Sequence, residues 1–188
     1  MAEPKPFLPV KLIAGLISCS AIHFEEAEKS LAARYGPTDL KSPYFHFNLT
    51  DYYEKQMGKN LQRVFLSFAG LISPEKLSGI KIETNALEES LRQNSGRSLR
   101  VVNIDPGIVT ASALIMATAK DFSHRIPLRD GIYAHLEFLF TKGGVTTLDW
   151  TYPDFRQSGY QEFFLSVRRT YLRQLRLLRS GDGGESSF

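Results

Sequence analysis

Ten consecutive positions, Val-Lys-Leu-Ile-Ala-Gly-Leu-Ile-Ser-Cys at 10–19, are apolar almost without interruption. A strand with one solvated face alternates apolar and polar residues, so a run like this belongs to a strand covered on both sides, near the centre of a sheet. The period then changes. Phe24, Ala27, Leu31 and Tyr35 recur at helical spacing with charges between them, and Gly36-Pro37 closes that helix with a glycine cap and a breaker.

Tyr44, Phe45 and Phe47 mark a second strand between Ser42 and Thr50, and a polar, aromatic connection follows over 51–59. Leu61–Ile72 resumes as a third strand, antiparallel to the second. Ser73-Pro74-Glu75 has the grammar of a helix start, with a stripe of Leu77, Ile80, Thr84, Leu87 and Leu91 behind it. An alternative segmentation keeps Gly79–Glu83 extended and restarts the helix at Asn85, with Glu88 closing a capping box. Either way the helix ends near Asn94-Ser95-Gly96. Leu99–Ile104 reads as the next strand, Asp105-Pro106-Gly107 as a turn, and 110–119 as a strand by length, although its alanines also suit a helix. Ile132–Phe140 and Val145–Trp150 flank the hairpin signal Thr141-Lys-Gly-Gly144. Ser158 with Gln161 caps a last helix whose Phe164, Val167, Tyr171, Leu175 and Leu178 face inward.

The expected fold is therefore α+β: a largely antiparallel sheet with a ferredoxin-like βαββαβ core, an extra C-terminal hairpin and a terminal helix, the helices forming one layer. A chain of 188 residues accommodates one domain, over 9–179, between a flexible N-terminus at 1–8 and a disordered glycine- and serine-rich tail at 180–188. Cys19 stands alone, which excludes an internal disulfide and a cysteine zinc site, fits a reducing compartment and reads as a small core residue. The opening Met-Ala-Glu-Pro-Lys-Pro lacks the layout of a signal peptide, and no run approaches the roughly 18 apolar residues of a membrane span. A cytoplasmic protein with no membrane partner is expected.

The formal net charge of +3 is concentrated. Arg156, Arg168, Arg169, Arg173, Arg176 and Arg179 face only Glu162 in the last helical segment, a local +5, and Asp182 and Glu185 give the tail −2, so the first 155 residues balance to zero. A basic helix face of this kind suits nucleic acid, although it is more often simply solvated.

Three clusters carry possible chemistry. Asp51, Tyr53 and Glu54 lie in the 51–59 connection, where the two acids can share a metal, divide acid and base roles or merely cap a turn. Lys120, Asp121, His124 and Arg125 put a cation, an acid, an imidazole and a guanidinium within six residues, which suits a phosphate or carboxylate. Trp150, Tyr152 and Arg156 suit a lid that stacks on a ligand, or a plug in which Arg156 pairs with Asp154. Asn103 and Asp105 are set apart. If 99–104 and 112–119 are neighbouring antiparallel strands, Asp105 and Lys120 fall at opposite ends of the sheet, and Asp105 is an ordinary turn acid. His46 and His135 bear a faint likeness to two-histidine phosphoesterases, but Asn48 and Glu137 stand where those need Ser or Thr. No phosphate loop, nucleophile elbow or His-Glu-x-x-His motif is present.

Six segments in order, Thr50-Asp-Tyr-Tyr-Glu54 with Met57-Gly58, Thr84-Asn85-Ala-Leu-Glu88, Asn103-Ile-Asp-Pro-Gly107, Lys120-Asp-x-x-His124-Arg125, Gly131-Ile-Tyr-Ala134 and Trp150-Thr-Tyr-Pro-Asp154, resemble the domain-of-unknown-function family 4416 over about residues 9–175. The resemblance implies a prokaryotic cytoplasmic protein and assigns no activity, cofactor or catalytic residue.

The functional expectation is a small-molecule enzyme or binder holding an anionic or phosphorylated ligand at one end of the sheet, its metal and cofactor requirements open. Lys120 and Arg125 would take the anion, His124 and Asp51 acid–base roles, and Tyr53, Trp150, Tyr152 and Arg156 would shape the site. The alternative is a non-catalytic RNA- or protein-binding module using the C-terminal arginine helix.

Overall fold

A computed structural model describes residues 3–48 and 53–181. The central apolar run forms β1 (Val10–Ser18), buried at every position. It is followed by α1 (Ala21–Tyr35), β2 (Thr38–Lys41), β3 (Phe45–His46), α2 (Glu54–Met57), β4 (Gln62–Ile72), α3 (Leu77–Asn94), β5 (Asn103–Val109), β6 (Ala113–Thr118), β7 (Ile126–Arg129), β8 (Ile132–Thr141), β9 (Gly144–Thr147) and α4 (Ser158–Gly181). The strands make one sheet in the order β2-β4-β1-β5-β6-β8-β7, with β3 on β4 and β9 on β8, and every pairing is antiparallel. Among the described residues no helix is long and apolar enough to cross a membrane.

The alternation along β1 assigns the two faces. Leu12, Ala14 and Leu16 pack with Phe24, Ala27 and Leu31 of α1 and Ile80, Leu87 and Leu91 of α3. Ile13 joins Phe65, Val109, Leu114, Phe138 and Phe140 against Phe163, Phe164 and Val167 of α4. Helices thus cover both faces, correcting the expectation of a single layer. The doubly buried β1 already required this, because its odd-numbered side chains need a cover of their own.

Several segments differ from their sequence reading. The strand expected over 42–50 is broken: Ser42 takes its own place in the ladder, donating N–H to the Phe65 carbonyl and accepting the Phe65 N–H on its hydroxyl, each at 2.9 Å. This separates β2, which the sequence reading lacked, from β3. Residues 77–94 are one continuous helix, so the restart at Asn85 does not occur. The edge strand β7 is joined to β8 by Asp130-Gly131, both at positive φ (55° and 73°), the geometry of a primed hairpin turn. Cys19 lies just past β1 and is exposed rather than core. Leu178 is 50% exposed, because α4 outruns the sheet, and the helix continues to Gly181, past the expected start of the tail.

The consequential correction concerns β5. Residues 99–102 are irregular, and the strand runs through Asp105-Pro106-Gly107 instead of ending before them. Pro106 is tolerated there because the ladder to β6 begins only at Gly107, paired with Met116, so Pro106 has no partner on that side. Below that point β5 and β6 part. Since Asp105 lies near the start of β5 and Lys120 just after the end of β6, the two fall at the same end of the sheet, not at opposite ends.

Candidate functional site

The parting of β5 from β6 opens a cleft of about 960 Å3. On the α4 face of the sheet, register sets Arg63 (β4) opposite Ile17 (β1) and Ile17 opposite Asn103 (β5), with Asp105 two residues further along. The aromatic cluster of α4 lies over the other end of this face, so these polar residues look into the cleft. Lys81, Asn85 and Glu88 of α3 line it as well.

Arg63 is 5% exposed and bonds Asp154, while its Nη2 lies 3.2 Å from Asp105 Oδ2. Its guanidinium sits 4.9–5.5 Å from the ring centroids of Phe47, Phe65 and Phe155, so a buried cation is held by two carboxylates and three aromatic faces. Asp105 also accepts from Asn103 Nδ2 at 2.6 Å and Lys81 Nζ at 3.4 Å. Burial pushes its carboxyl up, but Lys81, Arg63 and the Asn103 hydrogen bond outweigh it, and its pKa lies below the ordinary value. Glu88 differs in sign: burial raises it above the usual carboxylate value although Arg100 bonds it and the Ile104 N–H donates to it at 2.6 Å. Burial also pushes the Tyr53 phenol up, and the nearby Asp105 charge adds to the rise.

The other wall is built around Arg125. It donates to the Lys120 carbonyl at 2.7 Å, the Tyr152 hydroxyl at 2.6 Å and His135 Nδ1 at 3.3 Å, and those three residues line the cleft while Arg125 does not. His124 also stands behind this wall, its Nε2 3.1 Å from His135 Nδ1 and its ring stacked on Trp150 at 5.1 Å. Desolvation, with His135 and Arg125 alongside, holds His124 below the ordinary imidazole value. The Arg125 donor makes His135 Nδ1 an acceptor, so the ring proton sits on Nε2, 3.1 Å from Glu137 Oε2. The two atoms are close but poorly angled for a hydrogen bond. His135 and Glu137 are fully buried, and the imidazole stacks on Tyr152 at 4.9 Å.

The segment 148–156 is a pinned wall rather than a lid. Trp150 Nε1 donates to the Leu136 carbonyl, Thr151 to the Glu137 carbonyl, and the Tyr152 N–H to Glu137 Oε1. Arg156 donates to the carbonyls of Leu148, Asp149 and Thr151. Asp154 pairs with Arg63, not with Arg156 as the plug reading had it.

Of the residues proposed from sequence, Tyr53, Lys120 and Tyr152 line the cleft. His124 and Arg125 brace it from behind, Trp150 and Arg156 brace the 148–156 wall, and Asp51 lies outside the described residues. His46 is exposed on the face opposite His135, so the two histidines do not meet. Sequence reasoning missed Arg63 and Lys81, which sit in apolar or amphipathic runs with no local signal. It set Asn85, Glu88, Asn103 and Asp105 aside as caps or turns, and gave Asp154 to Arg156 as its partner in a plug. Their signal lay in the six ordered segments, five of which send a side chain into this cleft. Among the described residues no group of three or more His, Cys, Asp and Glu side chains can hold a metal ion.

No curated protein and no solved structure matches the chain. A family model does, over residues 8–171, a span containing every described residue that lines the cleft. The chain thus belongs to the family described as Domain of unknown function (DUF4416).

Proposed function

We propose that the protein binds a small, anion-bearing molecule in the cleft between β5 and β6. The observation that carries this reading is convergence: cations, carboxylates, amides and phenols from separate parts of the chain meet in one cavity of small-molecule size. Among the described lining residues, Arg63, Lys81, Arg92, Arg100 and Lys120 face Glu88, Glu89, Asp105 and Asp154, an excess of one positive charge. Lys120, which lines the cleft beside the tyrosines, is the residue assigned to the anion, a phosphate or carboxylate, with Tyr53 and Tyr152 as walls and Arg125 fixing Lys120, His135 and Tyr152 in place. The strand order β2-β4-β1-β5 with α1 and α3 on one face supports a ferredoxin-like reading of the core, and the lone cysteine supports a cytoplasmic one.

A thermal-shift screen against nucleotides, sugar phosphates and simple carboxylates tests the reading, because a ligand at a hundred times its Kd adds about 2.7 kcal/mol of stability. The expected hit is lost in Lys120→Ala and kept in Arg173→Ala. A hit with the reverse pattern would favour the arginine helix instead, where Arg169, Arg173 and Arg176 are exposed while Arg168 is engaged by the Ala111 carbonyl and Phe140. Binding there would be RNA binding that weakens steeply with salt.

A further inference from the structure

Asp105 and Lys81 stand side by side at the floor of the cleft, Oδ1 to Nζ 3.4 Å, and both line it. An ammonium has three donors, and Lys81 places one on the Ile104 carbonyl at 2.9 Å and one on Asp105. A carboxylate has about four acceptor sites, and Asp105 fills three, two of them on Oδ2 from Asn103 and Arg63. The pair thus keeps one N–H donor and one lone pair on Oδ1 for a ligand, and Asp105 retains 23% of its side-chain exposure.

The charges restrict what can dock there. A ligand carboxylate or phosphate on this floor meets Asp105, and a ligand ammonium meets Lys81 and Arg63, so the charged part of a ligand belongs elsewhere. A neutral group that donates to Oδ1 and accepts from Nζ fits, and neighbouring hydroxyls do both. Asn85, Thr118 and Tyr152, which also line the cleft, have the same dual character. Tyr53 is already packed on Phe47 and Tyr152 on His135, so the walls present no open aromatic slot.

We infer that the Asp105–Lys81 pair recognises adjacent hydroxyls of a polyol, so the ligand is a sugar phosphate or sugar acid, hydroxyls on the floor and anion toward Lys120. This rests on the reading of the cleft as an anion-bearing ligand's site. Titration calorimetry on the full chain with ribose 5-phosphate, glucose 6-phosphate and gluconate, against phenyl phosphate, N-acetylglycine and unphosphorylated glucose, tests it. At least one hydroxylated anion is expected to bind roughly tenfold more tightly than phenyl phosphate and N-acetylglycine. Asp105→Asn and Lys81→Met should erase that preference, with folding of each checked by a cooperative melt. The wild-type comparison needs no variant, so a misfolded mutant leaves it intact. Ribose 5-phosphate and gluconate distinguish a phosphate from a carboxylate anion. Equal binding of phenyl phosphate, or preference for N-acetylglycine, overturns the polyol inference and leaves the anion reading standing. Glucose binding as tightly as glucose 6-phosphate upholds the polyol floor and overturns the anion reading, and binding of none overturns both.

Discussion

Asp105 carries the most chemistry in this molecule relative to its modest sequence context. Its folded pKa lies below the ordinary value of 3.8, so it contributes stability fully present above that pH and lost as the pH falls through the lower folded value. Glu88, raised by burial, has the opposite sign and is a penalty that acid removes. Urea unfolding at neutral pH and near pH 3 should therefore show a steeper acid loss in wild type than in Asp105→Asn; parallel profiles would mean that Asp105 is no better held than in the unfolded chain. Arg63→Ala leaves the Asp154 and Asp105 carboxylates without their shared cation in a mostly buried place and should cost about 3–5 kcal/mol. Arg173→Ala on the exposed face of α4 should stay within about 0.5 kcal/mol. Neither Arg63 nor Lys81 was legible in sequence. Their hydrogen-bonding partners lie 23 to 91 residues away, and no local period records them.

At the scale of elements, the site exists because two adjacent strands stop pairing. Gly107 stands at the last rung before the parting, and a Cβ there would meet Met116 Sδ at 2.6 Å and the Ile115 carbonyl at 2.8 Å. The methionine can swing aside, whereas the backbone carbonyl of a paired strand cannot. Gly107→Ala is therefore expected to lose about 1–3 kcal/mol in urea and to weaken any cleft ligand with it. Unchanged stability would show that β6 retreats freely. The same rung explains why the sequence misled. Asp-Pro-Gly is ordinary turn grammar, and an apolar run before it reads as a strand. Here Val101 and Val102 are buried in the α1–α3 core without pairing, so the apolar run is an approach and the turn residues are the strand. Moving the strand by four residues carried Asp105 to the opposite end of the sheet. By contrast, the Asp130-Gly131 turn into β8 had a readable signature, and only its short, fully exposed partner strand concealed it.

At the scale of the whole molecule, β1 ties both cores into one unit. Leu12 faces the α1–α3 layer and Ile13 the α4 layer, at 1% and 0% exposure. Lys11, on the α4 face, is fully buried and bonded to Asp39 of β2 and to Gln174 of α4, whose amide donates to the Ala69 carbonyl. Neither helix layer can leave without exposing a strand that the other layer also needs. The chain is therefore expected to unfold in a single cooperative transition. Trp150, the sole tryptophan, reports from the cleft wall, and far-UV circular dichroism reports from the helices. Their urea midpoints should coincide in wild type, and Leu12→Ala and Ile13→Ala, on opposite faces, should each lower both midpoints together by about 2–5 kcal/mol of stability. A tryptophan transition that precedes the helical one would mean that the cleft end of the sheet opens by itself. The shared strand would then be a hinge instead of a tie.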